Sequence, residues 1–297
     1  MKTKKFNLKF NPVLKKELKQ SMRTVRFPIL VVLFNTVLAI IGLIGLYISN
    51  EQIKLTGIIN YRDNIYLYIL LMCVEFILLI FIMPAMTSGL ISGERERQTL
   101  DILLASRLTP AQIISGKLFS ALANLAILLF SGLPVISLTF IYGGIDISDI
   151  LFTILYLLFI ALFTGSAGIF CSCVLKKTTF ATVLTYGIEL LFIAAPIFIT
   201  VLAYMILAAQ SGSENVDISL FYLLLAFDPA ITFLNITFRQ TGTVPVMDHF
   251  FNPSNWFIPI SIALQCAIII IFILLSVRCL KCSPSKKHLI KVKESHI

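Results

Sequence analysis

Charge is what this chain has least of: 13% of its 297 residues are Asp, Glu, Lys or Arg, while 58% are hydrophobic. With a mean hydropathy of +0.94, it is far too apolar for a soluble domain of this length, so the bilayer has to be its solvent. Histidine is nearly absent. His249, His288 and His296 all fall outside the apolar runs, and no H-E-x-x-H occurs. That excludes the common zinc-hydrolase pattern, and it leaves Ser166, in Gly165-Ser166-Ala167-Gly168, without a base in the membrane. Ser166 therefore reads as packing. A phosphate-cradling G-x-x-x-x-G-K-[ST] is also missing, because Gly116-Lys117 is followed by Leu118 and position 111 is Ala. Of the six cysteines, Cys73, Cys171, Cys173, Cys266, Cys279 and Cys282, each lies in or beside an apolar run, so no external disulfide framework is implied. Cys279 and Cys282 form a lone C-x-x-C, which reads as inert thiols because a metal site needs more ligands. Long internal repeats are lacking too, and residues 1–297 read as one membrane domain.

What is present is a set of six apolar runs of spanning length. They cover Phe27–Ile48, Tyr66–Ile91, Leu118–Tyr142, Leu151–Leu175, Phe180–Ala208 and Trp256–Leu280. The first is expected to be a span and not a cleavable leader, since the basic region before it is long and no small-residue cleavage site precedes Glu51. Basic residues set the orientation. Of 24 Lys and Arg, only Lys54, Arg62 and Arg239 fall on one side; the rest flank the spans on the other. Both termini and the segment between spans two and three are therefore expected to be cytoplasmic. The net charge of +9 is then a topology signal with attraction to anionic lipid, and it gives no reason to expect a nucleic-acid partner.

Polar and turn-forming residues organise the rest. Asn11–Arg26 places Val13, Leu14, Leu18 and Met22 near one helical face, which suits a helix lying on the inner leaflet within residues 1–26. Pro84, Pro134 and Pro196 fall inside spans and predict kinks. Small residues at Gly89/Gly93 and Ala161/Gly165 allow close helix contact. Gly143–Ile150 reads as a tight outer turn, and residues 209–255 as a long extracellular loop. Within that loop Ile218–Phe227 and Ala230–Phe238 are too short to span and read as a re-entrant or interfacial pair. Residues 281–297 are a basic tail.

Two carboxylates lie inside spans, Glu75 in the second and Glu189 near the middle of the fifth, with Tyr186 one turn from the latter. Charge facing lipid is costly, so intramembrane carboxylates face a cavity or a partner. Two readings of Glu189 stand: a contact in a substrate path, or a protonated carboxyl bonded to a neighbouring helix. For Glu75 the second is favoured, because it can reach the outer interface.

The most informative segment is residues 92–117, where Glu94, Arg95, Glu96, Arg97, Asp101, Arg107 and Lys117 stand between two apolar runs. Arg, Lys or Asp at mid-bilayer costs about 2.5–3.5 kcal/mol each, so this insert stands outside the membrane. Ser92 or Gly93 is placed to cap a helix carrying Glu94 and Glu96 in its first turn. Leu100, Leu103 and Leu104, extended by Leu108, form an apolar stripe. Thr109-Pro110-Ala111-Gln112 is a capping box with Pro at N1, and it opens a helix that continues through Gly116-Lys117 into span three.

Gly93-Glu94-Arg95-Glu96, with Thr99, Leu103-Leu104, Pro110 and Gly116-Lys117, resembles the ABC type-2 export permease family. The resemblance extends to Lys16-Glu17-Leu18, the six-span layout and the stretch before the last span. It implies an all-α polytopic membrane protein: six transmembrane helices, an N-terminal amphipathic helix, a cytoplasmic coupling helix in the insert, and re-entrant helices before span six. It further implies a non-catalytic permease subunit, with ATP and Mg held by a separate ATP-binding-cassette chain and no cofactor of its own. A second six-span chain, identical or related, would complete a central path bordered by spans two and five, in a bacterial plasma membrane. Glu94, Arg95, Glu96, Thr99, Asp101 and Leu104 would lie at or near the ATPase interface, and Gln98 stands where the family commonly has Gly. The alternative is an ion-coupled secondary transporter, or a membrane scaffold or sensor, without an ATPase partner. A carrier is expected to show inverted repeats and discontinuous helices.

Overall fold

The computed structural model describes residue 17 and residues 24–56, 61–105, 108–141, 146–211, 223–242 and 256–281. Among these the chain is helical throughout, without strands. Six helices are long and apolar enough to cross a membrane. In chain order the elements are α1 (Arg26–Thr56), α2 (Tyr61–Thr87), α3 (Ser92–Glu96), α4 (Leu100–Ala105), α5 (Pro110–Ile141), α6 (Ile147–Val174), α7 (Thr178–Ser211), α8 (Pro229–Thr241) and α9 (Phe257–Lys281). All six expected spans are present. The fourth starts earlier than its apolar run suggested, so residues 147–150 belong to the helix and not to a turn. The amphipathic segment before Arg26 lies outside the described residues apart from Glu17, Thr24 and Val25, as do the tail beyond Lys281 and residues 218–222.

α6 is the hub, packed against α9, α2, α5 and α7. In its apolar window 67% is buried, compared with 11% for α7 and 17% for α1. Those two helices present Val32, Leu43, Val183, Leu190 and Phe198 to the surroundings, which a bilayer tolerates without cost. Since lipid and Leu are equally apolar, the bundle is held by close approach and polar contacts. Close approach comes from small residues on α6. Ala161 is wholly buried, and a side-chain carbon on Gly165 would sit 3.0 Å from Leu118 Cδ1. One on Gly168 would run into Thr87, whose hydroxyl is fixed by donating to the Met83 carbonyl at 2.9 Å. Pro84 lies one turn before α2 stops at Thr87, whereas Pro134 and Pro196 are carried inside continuous helices.

At the far end from the insert, polar side chains draw α8 into the bundle. Asp228 accepts from the Ala230 amide at 2.7 Å and caps the helix, with Pro229 at its first position. Burial pushes the Asp228 carboxyl up to about 7, opposed by its bonds to the Ala230 and Ile231 amides. Tyr156 Oη donates to Gln265 Oε1 at 3.2 Å, and Gln265 Nε2 donates to Thr232 Oγ1 at 3.3 Å. Thr153 Oγ1 donates to Gln240 Oε1 at 2.8 Å. Asn235 and Thr237, which spell a glycosylation sequon, are both buried.

Candidate functional site

The insert begins as a near-continuation of α2. After Thr87 the backbone turns through residues 88–91, and Gly93 N donates to Gly89 O while Arg95 N donates to Ile91 O. Ser92 does not cap α3. The cap position falls on Ile91, and Ser92 Oγ donates back to Ser88 O at 2.9 Å. Two buried amides at its start are satisfied from another helix: Ile91 N and Ser92 N both donate to Ser172 Oγ of α6, at 2.8 and 2.9 Å. At the other side of the insert the expected capping box is present. Thr109 N donates to Gln112 Oε1 at 3.0 Å, and Gln112 N donates to Thr109 Oγ1 at 3.3 Å.

Between α3 and α4 the chain reverses at Gln98, whose φ of 58° is left-handed. Glycine adopts that conformation without a Cβ penalty, and other residues lose of order 1 kcal/mol there. Gln98→Gly is therefore expected to stabilise the protein by about 1 kcal/mol and raise its melting temperature, while Gln98→Ala gives no gain. Thermal unfolding in one detergent checks both. A Gln98→Gly variant that melts lower would show that the turn is unstrained.

Of the described charged side chains of the insert, Lys117 is buried and Glu94 and Arg95 are half-buried, while Glu96, Arg97 and Asp101 are exposed. Lys117, whose side chain is 3% exposed, reaches from the first turns of α5 to Glu17 Oε1 at 3.0 Å and Glu94 Oε1 at 3.3 Å. Glu94 Oε2 also accepts a hydrogen bond from Thr99 Oγ1, and Glu94 O accepts the Thr99 amide at 2.9 Å. One buried ammonium thus joins the N-terminal segment, the insert and span three. Arg95 donates from Nη1 to Leu175 O at 3.3 Å and from Nη2 to Cys173 O at 3.2 Å. Glu96 accepts the Thr178 amide at 2.8 Å and the Thr178 hydroxyl at 3.1 Å. The cation sits on the last carbonyls of α6 and the anion on the first amide of α7, the favourable arrangement at both helix ends.

The outward face is consequently smaller than the sequence implied. Leu100 is buried, and Leu103, Leu104 and Leu108 pack partly against the core. Leu104 thus turns toward the molecule's own interior. Arg97, Asp101, Ile102 and Ala105 are exposed, and Ile102 reaches 74%. Lys176 and Lys177, in the turn between α6 and α7, are exposed beside them in the chain segment that Arg95 and Glu96 hold. The helical stripe already encoded Ile102, because it lies off the face of Leu100, Leu103 and Leu104. Ser172, Thr178 and the burial of Lys117 had no local signal.

The two intramembrane carboxylates are separate. Glu75 is wholly buried. A side-chain carbon at Gly132 would lie 3.2 Å from Glu75 Oε1 and 3.4 Å from Phe34 Cε1, so the carboxyl sits against the bare backbone of α5 beside α1. Glu189, on α7, is 3% exposed. Neither oxygen of either residue has a hydrogen-bond partner among the described residues. Tyr186 Oη donates instead to Phe81 O at 2.7 Å.

A comparison with curated proteins gave no match. The family model described as "ABC-2 family transporter protein" matches residues 11–281. That range takes in Glu17, the whole insert and all six long helices. The chain is thus a multi-pass membrane protein that belongs to the ABC-2 family of transporters.

Proposed function

We propose that this chain is the permease subunit of an ATP-driven exporter, energised by a separate ATP-binding-cassette subunit that docks on the insert. ATP and Mg are bound by that partner, and a second six-span chain completes the path. The observation that carries this reading is the construction of the insert. Its inner side is fastened to the bundle, while Arg97, Asp101 and Ile102 are left facing outward between two elements continuous with spans. In this reading the insert end is cytoplasmic, where the α6–α7 turn, the close of α9 and Glu17 also gather. α8 is a re-entrant helix on the opposite side. Glu94, Arg95, Glu96 and Thr99 shape the docking element, and Asp101 and Ile102 make the contact. Glu189 and Glu75 are the path candidates. In a single chain both are closed off, so each meets substrate only when helices separate during the cycle.

The test is co-purification of the tagged chain with a co-expressed ATP-binding-cassette subunit. Asp101→Arg/Ile102→Glu is expected to lower the captured partner by roughly tenfold, the loss of an interface anchor. Ile102→Glu alone, at a residue 74% exposed, is expected to lower capture too while leaving the melting temperature that of the unmodified chain. A chain that purifies folded and alone, with no nucleotide-binding partner, would overturn the reading and favour ion-gradient coupling.

A further inference from the structure

Arg95 and Glu96 are charged and lie beside the outward face, yet both bond to groups of the chain's own helix ends. Their targets share one place, the turn 175–177 between α6 and α7. Arg95 closes the carbonyl end of α6 at Cys173 and Leu175, and Glu96 closes the amide end of α7 at Thr178. Two further contacts cross the same seam. Ser172 of α6 takes the Ile91 and Ser92 amides, and Gly93 and Gly89 lie beside the Thr178 side chain. A side-chain carbon on Gly93 would lie 3.6 Å from Thr178 Cγ2, and one on Gly89 4.0 Å. The opposite side of the insert is built differently. There the capping box of Thr109 and Gln112 closes the start of α5.

We propose that Arg95 and Glu96 are positioning residues that weld α3 to the α6–α7 turn, so that the insert and the ends of two spans move as one rigid piece. This rests on the exporter reading for its purpose. A load applied at Ile102 is delivered through α3 to the end of α6 and the start of α7 together. Those are the hub of the bundle and the helix bearing Glu189.

The experiment places cysteines at Gly93 and Thr178 in an otherwise cysteine-free chain, assembled with its ATP-binding subunit in lipid nanodiscs. Disulfide formation is followed without nucleotide and with Mg-ATP and vanadate, and ATP hydrolysis is compared before and after reduction. A weld predicts that the bridge forms at similar rates in both states and that the oxidised complex hydrolyses ATP within about twofold of the reduced one. It also predicts that Glu96→Ala slows bridging by roughly fivefold, the scale of a lost helix cap, and that Glu96→Gln, which keeps an acceptor oxygen, restores most of it. Bridging confined to one state, or hydrolysis that collapses on oxidation and returns with dithiothreitol, would overturn the weld. Failure of the exporter reading looks different: the reduced complex itself would not hydrolyse ATP, while bridging would remain measurable.

Discussion

Removing both carboxylates around Lys117, in Glu17→Ala/Glu94→Ala, is expected to destabilise the protein by about 3–5 kcal/mol, whereas Lys117→Met costs only about 1 kcal/mol. The asymmetry follows from burial. The Lys117 side chain is 3% exposed, while Glu17 and Glu94 keep 24% and 28%. Without its partners the ammonium is left uncompensated in a place water does not reach, and that penalty is the large one. Without the ammonium the two carboxylates can turn to water, and a methionine fills the space. The triple variant Glu17→Ala/Glu94→Ala/Lys117→Met should therefore recover most of what the double loses. Unfolding in detergent measures the energies, and trypsin cleavage at Arg97 reports whether the insert has come loose. Equal losses in the double variant and in Lys117→Met would show that the node does not act as a buried charge with two supports.

Gly168→Val is expected to cost at least about 1–3 kcal/mol, the range for overfilling a packed interior, and to lower capture of the proposed ATP-binding subunit as well. A Cβ there meets Thr87, with Thr87 Cβ at 3.0 Å and the Ser88 amide at 3.5 Å. The Thr87 hydroxyl cannot swing aside without leaving the Met83 carbonyl. The backbone has to move, and it moves at the point where α2 turns into the insert. Gly187→Ala is the control. Nothing lies within 4 Å of that position, and it sits within α7, so the change should be neutral or stabilising by up to about 1 kcal/mol. If Gly168→Val melts like the unmodified chain, α6 and α2 do not cross as closely as described.

Much of this architecture was legible in the order of residues because it is encoded locally. Twenty or so apolar residues in a row make a span regardless of what surrounds them, and Thr109 and Gln112 find each other within one turn. The stripe of Leu100, Leu103 and Leu104 is equally local, and its direction follows once a core exists to receive it. The direction of the charges does not follow in this way. A glutamate in a membrane-flanking insert reads the same whether it meets a partner protein or the end of a helix. Only the fold brings Thr178 to Glu96 and Leu175 to Arg95, some 80 positions apart. The same holds for Ser172, a small polar residue in an apolar run that gives no sign of capping a distant helix. Glu75 illustrates the converse. Its place along the span was readable, but its burial depends on the bare backbone at Gly132 of another span.

The separation of Arg95 from Leu175 also has a consequence in time. Ribosomes add about 5–20 residues per second, so the insert is made several seconds before the turn it closes. During that interval Arg95 and Glu96 have no helix ends to occupy, and Ile91 and Ser92 have no Ser172. Spans two and three can enter the bilayer as a hairpin, but the insert reaches its final shape only once span five has begun. A partner subunit waiting at the membrane would find its docking surface finished late. If the proposed docking holds, assembly would wait for the arrival of residues 172–178.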